Sequence, residues 1–330
     1  MFMPQTNWKQ FHGDAFRDTR VLVTGGAGFI GSHLCEALTQ LSARVVVLDD
    51  LTGGTDANLR GMPRVELVRG SILDQNLLQR AIQGCRWVFH EAALGSVPQS
   101  LRQPRLYYEV NVTGTLNVLE AARANRVQRV IYAGSSSAYG DSPVLPKIET
   151  MPPSPRSPYA ASKLAGEGLM RAYSASFGLD TASLRYFNVF GPRQNANSAY
   201  AAVIAAFAKA LIAGHRPTIF GDGEQSRDFT FVHNAVHANL LAARCAQPLN
   251  GEVANVGTGQ RLSVNELARR MAGHLGKPEL SPAHEPDRPG DVKHSLADLA
   301  QANRLIGYDP IVSFDEGLSA TLNWYLSSGA

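Results

Sequence analysis

Tyr159 and Lys163 lie four residues apart, directly after Ser157-Pro158. A serine N-cap followed by proline at the first helical position predicts a helix start, so both side chains project from its first turns. The i, i+4 spacing puts them on one face. An isolated phenol titrates near ~10 and is a poor base at neutral pH. A neighbouring ammonium and the positive end of a helix favour the phenolate, which brings it into range as a general base. Two other stretches give the pair its meaning. Ser135-Ser136-Ser137 follows a β-rich run and offers hydroxyls that can hold or relay a substrate proton. Val21-Leu22-Val23-Thr24 runs straight into Gly25-Gly26-Ala27-Gly28-Phe29-Ile30-Gly31, a glycine loop that follows a strand and opens a helix. Missing side chains let a pyrophosphate approach the backbone there, and the helix N-terminus favours its charge. Asp49, at the end of the next β-rich run, can bond a ribose diol and repels a 2′-phosphate, which favours NAD over NADP. Each pattern alone has a structural explanation: a tight turn, a helix-face pair, a polar strand end. Their co-occurrence points to loss of a proton and a hydride from an alcohol beside a bound dinucleotide.

The elements that must position these groups alternate. Arg20–Thr24, Arg44–Asp49, Val65–Val68, Trp87–Phe89, Arg129–Ala133 and Ala182–Tyr186 read as strands. Amphipathic segments such as Ile30–Leu41, Leu106–Ala124 and Tyr159–Phe177 separate most of them. This predicts a Rossmann-type α/β fold, a doubly wound parallel sheet with helices on both faces. After Asn188 the pattern shortens, and a smaller mixed α/β substrate-binding domain is expected over 188–330. The dinucleotide domain then spans 20–187, with returning segments near 228–257, and 1–19 is an N-terminal extension. Ser263 to Glu266 and Ser313 to Glu316 have capping-box spacing.

Composition excludes several classes. Against 28 acidic residues stand 31 basic ones, a net +3, too balanced to argue for nucleic acid or a membrane surface. Three scattered cysteines fit a reducing compartment. With no signal-peptide pattern and no run of ~20 apolar residues, a cytoplasmic protein is expected. His233 and His237 share an i, i+4 face, but Asn234 stands where a zinc peptidase has glutamate, so no metal site is expected.

The chain resembles the extended short-chain dehydrogenases/reductases, and within them the nucleotide-sugar 4-epimerases. Besides the motifs above, the resemblance rests on His90-Glu91-Ala92-Ala93-Leu94-Gly95-Ser96-Val97-Pro98, Arg185-Tyr186-Phe187-Asn188-Val189-Phe190-Gly191, Gly221–Phe229 and Gly290–Asp298. It is most similar to bacterial UDP-N-acetylglucosamine 4-epimerases and covers nearly everything after residue 19. The resemblance implies an isomerase with tightly bound NAD. Tyr159 is then the base, Lys163 holds the nicotinamide ribose and tunes it, and Ser136 contacts the reacting hydroxyl. Gly25, Gly28, Phe29, Ile30, Gly31, Asp49, Ser71, Ile72, Ala92, Asn111 and Tyr186 fall on the cofactor side. On the UDP-sugar side, Asn188, Arg227 and Arg288 take the diphosphate, while Ser96, Ser137, Gln194, Ala202, Thr218, Phe220, Asp291 and Ser295 surround the sugar and nucleotide.

Within the family, dehydratases typically carry an Asp-Glu pair in the serine region and decarboxylases a glutamate. Here that segment reads Ser135-Ser136-Ser137-Ala138-Tyr139-Gly140, which favours hydride out and hydride back. Small residues at Ala202 and Ser295 are expected to admit an N-acetyl group. Ser71 stands where many relatives have an adenine-binding aspartate. UDP-glucose and UDP-N-acetylhexosaminuronate remain alternative substrates, dehydration or decarboxylation alternative reactions, and NAD sensing a non-enzymatic alternative. A homodimer through a four-helix bundle of Leu106–Ala124 and Tyr159–Phe177 is also implied.

Overall fold

A computed structural model describes residues 6–196, 202–286 and 293–328. Seven parallel strands form the central sheet: β1 Arg20–Thr24, β2 Arg44–Asp49, β3 Val65–Arg69, β4 Trp87–His90, β5 Arg129–Ser135, β6 Thr181–Tyr186 and β7 Glu252–Val256. Their spatial order is β7-β6-β5-β4-β1-β2-β3. The chain winds outward from β1 to β3, then returns to start β4 on the other side of β1. That reversal opens a crevice at the carboxyl ends of β1 and β4, where ligands bind in sheets of this kind. β1, β4, β5 and β6 are almost wholly buried, as expected for strands covered on both faces. Two apolar layers, one through Leu34, Leu38 and Val236 and one through Leu78, Val118 and Met170, provide that cover.

The expected strands are all present, and β7 pairs parallel with β6 at the edge of the sheet. A third core, built on Phe207, Leu211, Phe231, Leu267 and Leu322, lies outside the sheet. Short strand pairs such as Ala283–Glu285 with Thr218–Phe220 accompany it. One capping box forms in full: Ser313 and Glu316 cap each other reciprocally. At the other only the serine half is made, Ser263 Oγ accepting from Glu266 N–H at 3.2 Å, while the Glu266 carboxylate turns to Arg270.

One expected element differs. The segment Leu106–Ala124 is not a continuous α-helix: Pro104–Tyr108 and Gly114–Ala124 flank a π-helical turn, Glu109–Thr113. Such single π turns concentrate at functional sites, and this one places Asn111. The N-terminal extension is also ordered by packing. Asn7 caps the helix Trp8–His12, Trp8 and Phe16 are buried, and Phe16 meets Trp87 with ring centres 5.1 Å apart. No helix among the described residues is long and apolar enough to cross a membrane.

Candidate active site

The helix Pro158–Phe177 begins as its sequence predicts. Ser157 Oγ accepts from Ala160 N–H at 3.1 Å, and Pro158 occupies the first turn. Tyr159 and Lys163 both face a cavity of about 1010 Å³ at the carboxyl ends of the strands, with Ser135, Ser136 and Ser137 on its wall. Lys163 is 4% exposed, and its ammonium lies 4.8 Å from the centre of the Tyr132 ring. Burial drives its pKa down to about 8, against the pull of Glu91 and Glu167. Burial also raises the Tyr159 phenol, opposed by a hydrogen bond to Ser135. Ser136, assigned to the reacting hydroxyl from sequence, lines the cavity beside it. The three serines curl into a 3₁₀ turn after β5, with Ser137 N–H and Oγ–H both donating to Ser135 Oγ.

The glycine loop is built for close approach. Gly25 has φ +70°, and a Cβ there would sit 2.7 Å from Ala92 N. A Cβ on Gly31 would lie 2.2 Å from Gly25 O. Gly28 is the N-cap of the helix Phe29–Gln40 and provides no side-chain cap, so the first N–H groups await an external acceptor. Asp49 accepts from Ala27 N–H at 2.9 Å and Leu51 N–H at 2.8 Å. A carboxylate has further lone pairs for a ribose diol. Uncapped helix, side-chain-free loop and fixed carboxylate fit NAD.

Asn111 is buried and fully engaged. Its amide donates to Leu94 O at 3.1 Å and Ser162 Oγ at 2.9 Å, and its carbonyl accepts from Leu94 N–H at 2.8 Å. It supports the pocket wall with no donor left for a ligand. Behind it stands His90. Thr115 Oγ1–H donates to Asn111 O at 2.6 Å, so His90 Nε2–H must donate to Thr115 and Nδ1 must accept from the Thr24 hydroxyl. Burial takes this imidazole down to about 3, hence neutral.

The expected substrate residues Ala202, Thr218 and Phe220 line a second cavity of about 830 Å³. Asn188 and Arg227 line both cavities. Asn188 adopts φ +34° and donates to Ser295 Oγ at 3.1 Å. Arg227 leans on the carbonyls of Ser226 and Lys293. Gln194 lines the first cavity, and its Oε1 is buried without a partner among the described residues. Arg288 and Asp291 lie outside the described residues.

Two expectations change. Ser96 is not on the cavity wall: its hydroxyl caps the helix Val97–Arg102 and its N–H donates to Tyr107 Oη. Ile72 turns its side chain into the core against Gly114, so only its backbone remains for a cofactor. Ser71 Oγ accepts from Leu73 N–H at 3.2 Å and keeps its proton and a second lone pair. A third correction concerns acids. The serine segment holds no carboxylate, yet the fold brings Glu91 from the end of β4 to the same cavity wall. Tyr186 Oη–H donates to its Oε1 at 2.7 Å and accepts from Asn239 at 2.6 Å. Sequence reading passed over Glu91 and Asn239 because their partner, Tyr186, lies far along the chain. Asn234, given no role from sequence, bonds Ile311 and Val312 and pins the last segment to the helix Val232–Arg244. Among the described residues no group of His, Cys, Asp or Glu is placed to hold a metal.

A sheet reversed at a glycine loop, with a helical Tyr/Lys pair beside a serine turn, defines a nicotinamide-dependent enzyme of the short-chain dehydrogenase/reductase type. The chain belongs to the NAD dependent epimerase/dehydratase family, which it matches over residues 21–257. It is 39% identical over 311 residues to a UDP-glucose 4-epimerase of Mycolicibacterium smegmatis, covering 93% of this chain and 98% of that one. A UDP-N-acetylglucosamine 4-epimerase from Methanobrevibacter ruminantium, solved with UDP-N-acetylmuramic acid, superposes with a TM-score of 0.90 at 38% identity, covering 94% and 99%. A UDP-glucose 4-epimerase of Thermus thermophilus, solved with NAD, gives 0.85 at 36% identity, covering 94% and 100%. NAD is the cofactor of the family.

Proposed function

We propose that this chain is a UDP-sugar 4-epimerase that accepts UDP-N-acetylhexosamines. The observation that carries the reading is the placement of Tyr159, Lys163 and the serine turn on one wall of a cavity that continues, past Asn188 and Arg227, into a second one. A sugar fits the first and a nucleotide the second. In this division the segment 20–187 holds the cofactor and 188–330 the nucleotide.

Bound NAD supplies a reversible two-electron sink at the sugar C4 and, when oxidised, a positive charge near the phenol. Tyr159 removes the C4 hydroxyl proton as C4 becomes a ketone, with Lys163 stabilising the phenolate and Ser136 holding the hydroxyl. Arg227, with Arg288, grips the diphosphate through charge-assisted hydrogen bonds. The 4-keto sugar turns about its bond to the diphosphate, and Tyr159 returns the proton to the oxygen on the inverted centre. The loose part is the sugar, the fixed part the nucleotide.

The N-acetyl preference draws on small side chains. Ser295 is held by Asn188, not spent as a helix cap, and Ala202 lies on the neighbouring wall. The partnerless Gln194 Oε1 suits a sugar hydroxyl or amide. The likeness to the UDP-N-acetylglucosamine 4-epimerase of M. ruminantium, solved with UDP-N-acetylmuramic acid, supports this reading. A homodimer is supported by apolar residues left bare on the segments proposed to pair. Leu106 is 41%, Tyr108 62% and Phe177 54% exposed.

The test is incubation of the purified protein with UDP-GlcNAc and no added cofactor. UDP-GalNAc is the expected product. A 4-keto-6-deoxy sugar or net NADH would instead assign dehydration or oxidation. Parallel reactions with UDP-glucose and UDP-N-acetylglucosaminuronate rank the substrates. Tyr159→Phe should abolish turnover and keep NAD bound.

A further inference from the structure

Side chains alternate across a strand, and at the end of β4 this sends His90 and Glu91 to opposite faces. His90 meets Thr24 and Thr115. Glu91 meets Tyr186 of β6 and, through it, Asn239 of the helix Val232–Arg244. The direction of this relay is fixed by its donors. Asn239 gives one amide proton to Tyr186 Oη and the other to Ala235 O at 2.9 Å. Tyr186 has a single proton and gives it to Glu91. The relay therefore ends in an acceptor, which favours the ionised carboxylate.

Charged and titratable groups face Glu91 from each packed element. Lys163 faces it from the helix Pro158–Phe177, Tyr186 from β6, and the Cys35 thiol from the helix Phe29–Gln40, which in turn feels Arg193. Glu167, the other acid acting on Lys163, is committed to a bidentate pair with Arg185 at 2.9 and 2.7 Å. Glu91 has no guanidinium partner in the hydrogen bonds and ion pairs of the described residues, and its charge reaches Lys163 unmatched.

We infer that Glu91 is the tuning residue of the catalytic pair: its carboxylate, anchored by Tyr186 and Asn239, keeps Lys163 charged so that Lys163 can hold Tyr159 as phenolate. This rests on the epimerase reading for its purpose and, for its substance, on the cavity wall that Glu91 and Lys163 share and on the Tyr186 anchor. The titration directions agree. Burial pulls Lys163 down to about 8 and lifts Glu91 to about 7, and each opposes the shift of the other. Between these values both are charged.

The experiment reads Lys163 directly in the holoenzyme. The chain has six lysines, so Cε-carbon-13 lysine NMR resolves Lys163, assigned by the signal lost in Lys163→Met. Native Lys163 should titrate near 8. In Glu91→Gln the midpoint should fall by about one pH unit, a ~10-fold rise in neutral amine. Glu91→Asp, which keeps the charge, should stay near native. Tyr186→Phe, which weakens the anchor, should move the midpoint the same way as Glu91→Gln and serves if that variant folds poorly. Coincident native and Glu91→Gln titrations, or an equal shift in Glu91→Asp, would overturn the inference. The alkaline limb of kcat/KM should follow the NMR midpoint. Absence of native turnover with a shifted midpoint would sink the epimerase reading alone.

Discussion

The amide of Asn111 donates to Ser162 Oγ at 2.9 Å, from a π turn to the residue that precedes Lys163. Ser162 passes its own proton to Tyr159 O at 2.8 Å. The Tyr159 carbonyl is thus held, through Ser162, by a residue that touches neither Tyr159 nor Lys163. Asn111 also satisfies the N–H and C=O of Leu94. Asn111→Leu strands these two groups in the interior, at a cost of about 2–6 kcal/mol given ~1–3 for each orphan. Urea denaturation should show that loss. Steady-state kinetics should show kcat falling more than KM changes, because positioning of the base is what suffers.

Activity should fall on the alkaline side as Lys163 loses its proton, with a midpoint near 8. The sign follows from a lysine whose pKa is lowered: it is charged below that value and neutral above it. Lys163→Met should reduce kcat by about 10²–10³-fold, within the span of general acid–base catalysis. It should also remove that limb from the pH profile. A variant whose limb persists would reassign it to another group.

Acid should loosen the N-terminal helix. His12 Nε2 and His237 Nδ1 are 3.1 Å apart, and Thr6 bonds His233. Burial lowers all three imidazoles, to about 3 for His12 and about 4 for His233 and His237. They are neutral in the folded chain, while the unfolded chain takes up protons below ~6.5. Their stabilisation is complete above that pH and declines as pH falls towards 4. Each contributes a slope of about 1.4 kcal/mol per pH unit. Urea midpoints between pH 7.5 and 5 should fall steeply, and less so in His12→Gln. A flat native profile over that interval would remove the histidine cluster as the cause.

Glu167 and Arg185 form a buried bidentate pair behind the Tyr159 helix, and Arg185 stacks 4.7 Å from the centre of the Tyr139 ring. Glu167→Gln leaves the guanidinium charge buried and uncompensated, which costs about 3–5 kcal/mol. Denaturant titration measures it. A loss below ~1 kcal/mol would mean that water reaches the pair.

Gly31→Ala places a methyl where Gly25 O already stands, at 2.2 Å. The helix must back away from the loop, and with it the N–H groups offered to the pyrophosphate. The purified variant should carry little NAD by absorbance after acid release, while far-ultraviolet circular dichroism stays native-like. Full NAD content would place the pyrophosphate elsewhere.

Much of the fold was legible because its signals are local. Strand boundaries came within two residues, since buried parallel strands are short apolar runs. Ser157, Ser263 and Ser313 capped their helices because a cap is a contact over three residues. The π turn was not legible: its extra residue leaves no mark on apolar spacing. Ser96 reads as a wall residue but is used as a cap. That depends on how a loop turns after a strand.

The sequence by itself determined the chemistry of the reacting pair, because Tyr159 and Lys163 share one helix and their i, i+4 relation needs no tertiary contact. It likewise determined the glycine loop. Only the tertiary structure decided what surrounds them. Glu91 and Tyr186, separated by 95 positions, meet because β4 and β6 end at the same edge of the sheet. Convergence of strand ends is set by sheet order, and sheet order follows from packing over the whole chain.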